Sequence, residues 1–296
     1  MTDAQAPMLG IIGGSGLYQI DGLANTRWIE VASPFGKPSD SVLTGELDGL
    51  KLAFLPRHGR GHKLPPGEIN YRANIDALKR LGVTDIVSVS AVGSLKENLK
   101  PGDFVLVNQF IDRSFARVKS FFGSGLVAHV SMAHPVCGRL GDTIASAAQT
   151  QLSITLARGG TYVVMEGPQF STKAESELYR SWGAAVIGMT NMPEAKLARE
   201  AELCYATIAM VTDFDCWHPD HDHVTVEAVI KVLLANAEKA RSLVKAVAAA
   251  LPLRRAACAQ GCDRALEYAL ITPPDARDPD MIKKLDAVAG RVLNRR

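Results

Sequence analysis

The sequence predicts a three-layer α/β fold in a single domain, and three observations carry that expectation. Short apolar runs at 9–12, 52–55, 83–89, 103–107, 162–165, 185–188 and 205–211 read as buried strands. Stretches at 70–81, 138–151, 172–182, 193–201 and 225–250 read as helices set between or after them. The chain holds no internal repeat, low-complexity tract or linker that would split its 296 residues in two. Strands alternating with helices bury both faces of a sheet.

The first strand runs into Gly13-Gly14-Ser15-Gly16, a tight turn whose backbone N–H groups and hydroxyl suit an anion. It is not a Walker loop, and the dinucleotide fingerprint is incomplete, because Gln19 follows Tyr18 where a third glycine would stand. A plain strand-to-loop turn is equally consistent. The second strand ends at Pro56-Arg57-His58-Gly59. There a guanidinium fork, an imidazole and a glycine that admits close approach suit phosphate; a solvated surface arginine is the alternative. In the helix at 70–81, Ile75, Leu78 and Leu81 recur at three-residue spacing and Gly82 is the stop. The strand at 83–89 is expected to break at Ser90-Ala91-Val92-Gly93-Ser94.

A strand at 103–107, a long connection and the helix at 138–151 follow. The strand at 162–165 ends at Glu166-Gly167-Pro168-Gln169-Phe170. Glu166 could accept from a sugar hydroxyl and Phe170 could stack on a planar base, against the plainer readings of an acidic turn and a core phenylalanine. Ser171 or Thr172 caps the next helix, with Glu175 in its first turn. The strand at 185–188 leads to Met189-Thr190-Asn191, and Pro193 can start the helix beyond. Ser90 and Thr190 each place a hydroxyl at a strand end, where local capping is the alternative role. With Ser15, Arg57 and His58 they would cradle a doubly charged oxyanion. Met192 reads as a core filler, while Met189, directly before Thr190, reads as a pocket wall.

Asp213 and Asp215 follow the apolar strand at 205–211. Open α/β sheets bind ligands at that end of their strands. Alternation along an extended chain would turn both carboxylates to one side and Phe214 to the other. A solvated acidic turn is the alternative. Beyond them His218, His221 and His223 are interspersed with Asp220 and Asp222. Their spacing could ligate a metal, but no scaffold orients them, and a polar gating loop is preferred. The long helix ends at Leu251-Pro252-Leu253, and residues 279–293 read as a helical tail.

Composition narrows the classes. With 47% hydrophobic residues and a formal charge of +2, the chain suits a globule with a sizeable core and not a nucleic-acid binder. Lys283, Lys284, Arg291, Arg295 and Arg296 read as a solvated helix face. No apolar run approaches the ~20 residues of a membrane span, and the first seven residues lack the pattern of a secretory signal. A cytoplasmic protein is expected. The five cysteines are odd in number and scattered, which argues against a disulfide framework. Cys258 and Cys262 could share a helix face, but no second such pair completes a metal site, so inert buried thiols are expected.

Taken in order, these segments resemble the trimeric purine nucleoside phosphorylase family, in particular its branch acting on 5′-methylthioadenosine. The resemblance rests on Gly13-Gly14-Ser15-Gly16-Leu17, Pro34-Phe35-Gly36-Lys37-Pro38-Ser39, Arg57-His58-Gly59, Asn70-Tyr71-Arg72-Ala73-Asn74 and Ala91-Val92-Gly93-Ser94-Leu95. It continues through Pro101-Gly102-Asp103, Asp112-Arg113, Glu166-Gly167-Pro168-Gln169-Phe170-Ser171, Met189-Thr190-Asn191-Met192-Pro193-Glu194 and Thr212-Asp213-Phe214-Asp215-Cys216-Trp217. It implies a nucleoside phosphorylase-like three-layer αβα domain over residues 1–296, with a mixed central β-sheet and a helical C-terminal tail from about 252 that is assigned no ligand contacts. It also implies a homotrimer.

By the same resemblance Ser15, Arg57, His58, Ser90 and Thr190 bind phosphate, the two serines standing where relatives often carry threonine. Ala91, Phe170 and Met189 line the nucleoside site, and Asp213 and Asp215 read a 6-aminopurine. His129 reaches the 5′ substituent of a neighbouring subunit's substrate, and Val224, Val226, Val229 and Ile230 form an apolar wall around a methylthio group. The implied reaction is phosphorolysis of S-methyl-5′-thioadenosine to adenine and 5-methylthioribose 1-phosphate. Inorganic phosphate is the co-substrate, with no metal or organic cofactor. A phosphorylase for adenosine or 6-oxopurine nucleosides, a nucleotide-binding module without the chemistry, and a dinucleotide-dependent dehydrogenase are the alternatives. The apolar 5′ wall and the Asp213 carboxylate, where an amide would suit a 6-oxopurine, argue against the first.

Overall fold

The structure, a computed structural model, describes residues 7–14, 17, 19–151, 153–219, 226–254 and 256–294. Ser15 and Val224, two expected ligand residues, lie outside the described residues, as do His221 and His223. The chain opens with β1 (Met8–Gly13), buried throughout. Next come β2 (Ala24–Ile29), β3 (Val42–Leu47) and β4 (Leu50–Pro56), an antiparallel series whose last strand returns parallel to β1. Helix α1 (Tyr71–Arg80) is capped by Asn70, whose side chain accepts from the Ala73 N–H. Then follow β5 (Asp85–Ser94), β6 (Phe104–Val107), β7 (Gln109–Asp112), α2 (Gly138–Gln149), β8 (Leu156–Arg158) and β9 (Thr161–Val164). The remainder is α3 (Lys173–Ser181), β10 (Val186–Gly188), α4 (Asn191–Glu200), β11 (Cys204–Asp213), α5 (Val226–Ala250), α6 (Pro279–Lys284) and α7 (Asp286–Leu293).

These strands form one mixed sheet in the order β2-β3-β4-β1-β5-β10-β9-β7, with β11, β6 and β8 branching from β5. β5 is the hub: its first residues pair parallel with β1, β11 runs parallel to it from Asp85 to Gly93, and its last residues pair antiparallel with β10. Alternation along β11 sends Ile208 and Met210 into the core under α2 and α5, and Tyr205, Ala209 and Val211 into the core under α1, α4 and α7. Burial on both faces is why these strands read as unbroken apolar runs. A fully buried Leu or Ile contributes on the order of 1.5–3 kcal/mol. The three-layer α/β fold with a mixed sheet is borne out.

Details differ from the sequence reading. β5 does not break at Ser90 but runs to Ser94, because β11 and β10 both pair with it and carry the small residues through. β2, β3, β7 and β8 are not expected from the sequence. β2 is largely exposed at the sheet edge, and β7 and β8 have only four and three residues. In α4, Met192 is extended, so regular helix begins at Pro193. Thr172 rather than Ser171 caps α3, in a full capping box with Glu175. Past residue 252 the described tail forms only single 3₁₀ turns until α6, and Leu285 separates α6 from α7. Among the described residues, no helix is long and apolar enough to cross a membrane.

Candidate active site

Asp213 lies opposite Gly93 of β5 after a bulge between Val211 and Asp213. Bulges re-aim side chains where a strand ends. The Thr212 hydroxyl reaches the Val92 carbonyl (3.2 Å) and Asp213 Oδ2 (2.7 Å), which fixes the carboxylate. Asp215 sits in a turn at φ 51°, and its N–H donates to Asp213 Oδ1 at 2.8 Å. The two acids therefore converge through an Asx-type turn and not through the simple alternation expected, because the strand has already ended. Phe214 does point away, into a cluster with Leu95, Tyr179, Ile187 and Trp217.

Asp215 Oδ1 accepts from the Ser171 hydroxyl at 3.3 Å, and the buried Ser176 hydroxyl also faces this carboxylate, outside normal hydrogen-bond geometry to its buried Oδ2. Burial pushes the carboxyl of Asp213 above the usual range, and likewise that of Asp215, where the neighbouring Asp213 charge adds to it.

β5 supplies the floor. From Asp85 to Ser94 every residue is buried except Ala91 and Gly93, which are partly open and share one face. A Cβ on Gly93 would stand 2.9 Å from Asp213 Oδ1 and 3.2 Å from Ile187 Cγ2. Ser90 is three residues earlier on the strand, ~10 Å from Gly93 at ~3.3 Å per residue.

The anion end is built around Arg57, which follows β4 and is 2% exposed, so a surface role is excluded. Its Nε and Nη2 clamp Glu194 at 2.8 and 3.0 Å. Nη2 also donates to Ser88 Oγ at 2.6 Å, and Nη1 to the Val89 carbonyl at 2.9 Å. Four of the five guanidinium N–H groups are thus committed, leaving one on Nη1. The Tyr205 hydroxyl donates to Glu194 Oε1 at 2.8 Å, and the Ser90 hydroxyl to Asn191 Oδ1 at 3.0 Å. Asn191 Nδ2 in turn lies 3.0 Å from Ser88 Oγ and 2.8 Å from Thr207 Oγ1. Thr190 is buried at the N-terminus of α4, and its hydroxyl makes no capping bond.

Sequence reasoning does not single out Ser88, Asn191, Glu194, Tyr205 or Thr207 as parts of this network. The available signal was an amide and a carboxylate, Asn191 and Glu194, sitting beside the apolar Met192-Pro193. Such groups are buried only when paired.

His58 Nδ1 lies 2.8 Å from the Leu64 carbonyl, so Nδ1 carries the hydrogen and Nε2 is an acceptor. Burial, reinforced by the Arg57 charge, lowers this imidazole to about 4, and it stacks on His62 with centroids 4.2 Å apart.

Met189 is half-buried beside Gly167, whose added Cβ would lie 2.6 Å from the Met189 sulfur. Arg117 ties this segment down: its Nη1 donates to the carbonyls of Met189 and Met192, and its Nε to Glu166 Oε1 at 3.0 Å. Glu166 also accepts from the Phe115 and Ala116 N–H groups. Three of the carboxylate's roughly four acceptor positions are thereby taken by the protein, which leaves one for a sugar hydroxyl. Phe170, next to Ser171, is exposed with its ring open to a ligand. On α5, Val226 and Ile230 are exposed and Val229 is half-buried. His129 is exposed, and no described hydrogen bond joins it to the Asp213 end; its N–H donates to the Ala269 carbonyl at 2.8 Å. His218 packs on Phe214 and Trp217, with Nε2 3.7 Å from Glu97 Oε2.

The model of the phosphorylase superfamily matches residues 8–249. The S-methyl-5′-thioadenosine phosphorylase of Rhodospirillum rubrum is 68% identical over 294 residues, 99% of this chain and 100% of that protein. That of Cereibacter sphaeroides is 64% identical over 286 residues, 97% of this chain and 98% of that one. A solved methylthioadenosine phosphorylase sourced from an Antarctic soil metagenomic library superposes with a TM-score of 0.89 at 49% identity, covering 96% of this chain and 99% of its own. A methylthioadenosine phosphorylase from Schistosoma mansoni in complex with adenine gives 0.76 at 39% identity, covering 82% and 91%. The chain belongs to the phosphorylase superfamily, among the S-methyl-5′-thioadenosine phosphorylases.

Proposed function

We propose that the chain cleaves S-methyl-5′-thioadenosine with inorganic phosphate, releasing adenine and 5-methylthioribose 1-phosphate in purine and methionine salvage. The observation that carries this reading is the pair of acids Asp213 and Asp215, both carboxyls raised by burial, at the end of the strand that pairs with β5 beside Ser90. Together they can accept from an N–H such as the exocyclic amine of adenine and donate to a ring nitrogen.

Phosphorolysis forms a bond from a phosphate oxygen to the anomeric carbon and breaks the bond from that carbon to the purine. The electron pair leaves with the base, so the purine gathers negative charge as the ribose becomes cationic. Asp213, with its raised pKa, carries the proton to the imidazole nitrogen of the base, a role worth roughly 10²–10⁴ in rate. Phosphate at Ser15, Ser90, Thr190 and the remaining Arg57 N–H supplies the nucleophile and stabilises the cationic sugar. Neutral His58, with Nε2 as acceptor, fits a phosphate that still bears one proton and rejects a fully ionised oxygen. Ala91 and Met189 contact the ribose and Phe170 the base. Val224, Val226, Val229 and Ile230 would enclose the methylthio group, with His129 coming from a neighbouring subunit of a homotrimer in the cytoplasm.

Rates of base release from S-methyl-5′-thioadenosine, adenosine and inosine, each with and without phosphate, test this. The expected result is phosphate-dependent adenine release, fastest from the methylthio substrate. Release without phosphate, or a preference for inosine, would overturn the reading.

A further inference from the structure

Four cysteines far apart in the sequence come together behind the sheet. Cys137 is the N-cap residue of α2, Cys204 opens β11, and Cys258 and Cys262 lie on the tail between α5 and α6. None is more than 1% exposed, and their four sulfurs lie within 4.8 Å of one another. The pair at the tail does have a partner pair, which chain spacing alone could not show.

The spacing of the Cys137–Cys258 pair fits a shared metal and not a bond. Cys137 and Cys258 sulfurs are 3.7 Å apart. A tetrahedron with ~2.3 Å metal–sulfur bonds has edges of ~3.8 Å, whereas a disulfide needs ~2.05 Å. The connecting backbone is also shaped for a ligand loop. Gly261 takes φ 69°, turning the chain so that the Gln260 and Cys262 N–H groups address the Cys258 sulfur. Arg139, paired with Asp85, lies against Cys204, and the Arg199 charge acts on Cys262. Thiols are weak hydrogen-bond partners, and four of them packed together satisfy one another poorly.

We propose that Cys137, Cys204, Cys258 and Cys262 form a closed tetrathiolate site for a thiophilic divalent cation of the zinc type. On binding, the four thiols release four protons to solvent and four sulfur–metal bonds form, with no change of oxidation state. The resulting charge of −2 is moderated by Arg199 and, in part, by Arg139, which shares its charge with Asp85. With all four positions filled by protein the site is structural. Its effect is to staple the tail to the ends of α2 and β11. Downstream of the staple, the Leu266 N–H donates to Glu202, and Leu270 bridges Ala128 next to His129.

The test uses the full-length protein, purified under thiol reductant and without chelator. Elemental analysis is expected to find about one zinc per chain. After chelation, titration with Co(II) is expected to saturate at about one equivalent, with the intense visible and thiolate charge-transfer bands of a tetrahedral sulfur site. Removing the metal should lower the unfolding temperature by on the order of 5–10 °C. Cys258→Ser with Cys262→Ser should lose the metal while phosphorolysis at ambient temperature persists. Should that variant fail to fold, the cobalt titration of the unmodified chain decides by itself. Substoichiometric metal under reducing conditions, cobalt bands lacking thiolate character, or peptide mapping that finds these cysteines paired as disulfides would overturn the proposal.

Discussion

Gly93 and Asp213 are partners across β5 and β11, and the carboxylate of Asp213 lies where a side chain on residue 93 would begin, 2.9 Å from the Cβ that glycine lacks. The acid therefore rests on the floor of the pocket instead of standing above it. Gly93→Ala should push it off that position and lower kcat/KM for S-methyl-5′-thioadenosine by about 10–100-fold, since misplacement near 1 Å costs on that order. The cost in stability should stay within about 1–3 kcal/mol. Steady-state kinetics with a urea melt measures both, and unchanged kinetics would show that the contact does not position the acid.

Asp213→Asn removes the proton donor while preserving shape. Activity on the aminopurine substrate should fall by about two orders of magnitude or more, with some gain on a 6-oxopurine. Burial raises the Asp213 pKa, so its donating form prevails at lower pH. The wild-type rate is expected to fall as pH rises through that raised value, and the asparagine variant should lose this limb. A pH–rate profile of both proteins tests it.

The Arg57–Glu194 pair, with both side chains only 2% exposed, positions the anion end. Glu194→Gln leaves a buried guanidinium uncompensated and should destabilise the protein by about 3–5 kcal/mol. It should also raise the KM for phosphate. The double change Arg57→Met with Glu194→Leu should recover much of the stability and none of the phosphate affinity. Denaturant melts combined with phosphate titration separate the two effects.

His58 ties stability to pH. Its folded value of about 4 lies below the ordinary 6.5, so the unfolded chain binds the proton more readily. The associated stability is complete above 6.5 and is lost as pH falls through 4. Between those limits it amounts to about 3 kcal/mol. Urea melts across that range should show the slope in the wild type and lose it in His58→Gln.

How much of this was legible in the sequence follows from what each residue reports locally. The apolar strands, the Thr172–Glu175 cap and the start of α4 at Pro193 are local signals, and the structure bears them out. The passage of β5 through Ser90–Ser94 is not local: small residues look like a break until two neighbouring strands pair with them. Asp213 and Asp215 stand out by their place after an apolar strand, but the Asx-type turn that joins them competes with strand alternation, and only the folded chain shows which prevails. The burial of Arg57 depends on Glu194, 137 positions later, and the cysteine cluster on the path of the tail. Such partners become visible only when the chain is folded.

The central claim is that the anion cradle and the acidic clamp serve one nucleoside lying along β5. A crystal structure with S-methyl-5′-thioadenosine and sulfate tests it most directly. The account requires the adenine amine at Asp215 Oδ2, the ribose over Ala91 and sulfate at Ser90 and Thr190, all within one continuous cavity. Adenine and sulfate in separate cavities, with protein between Arg57 and Asp213, would contradict it.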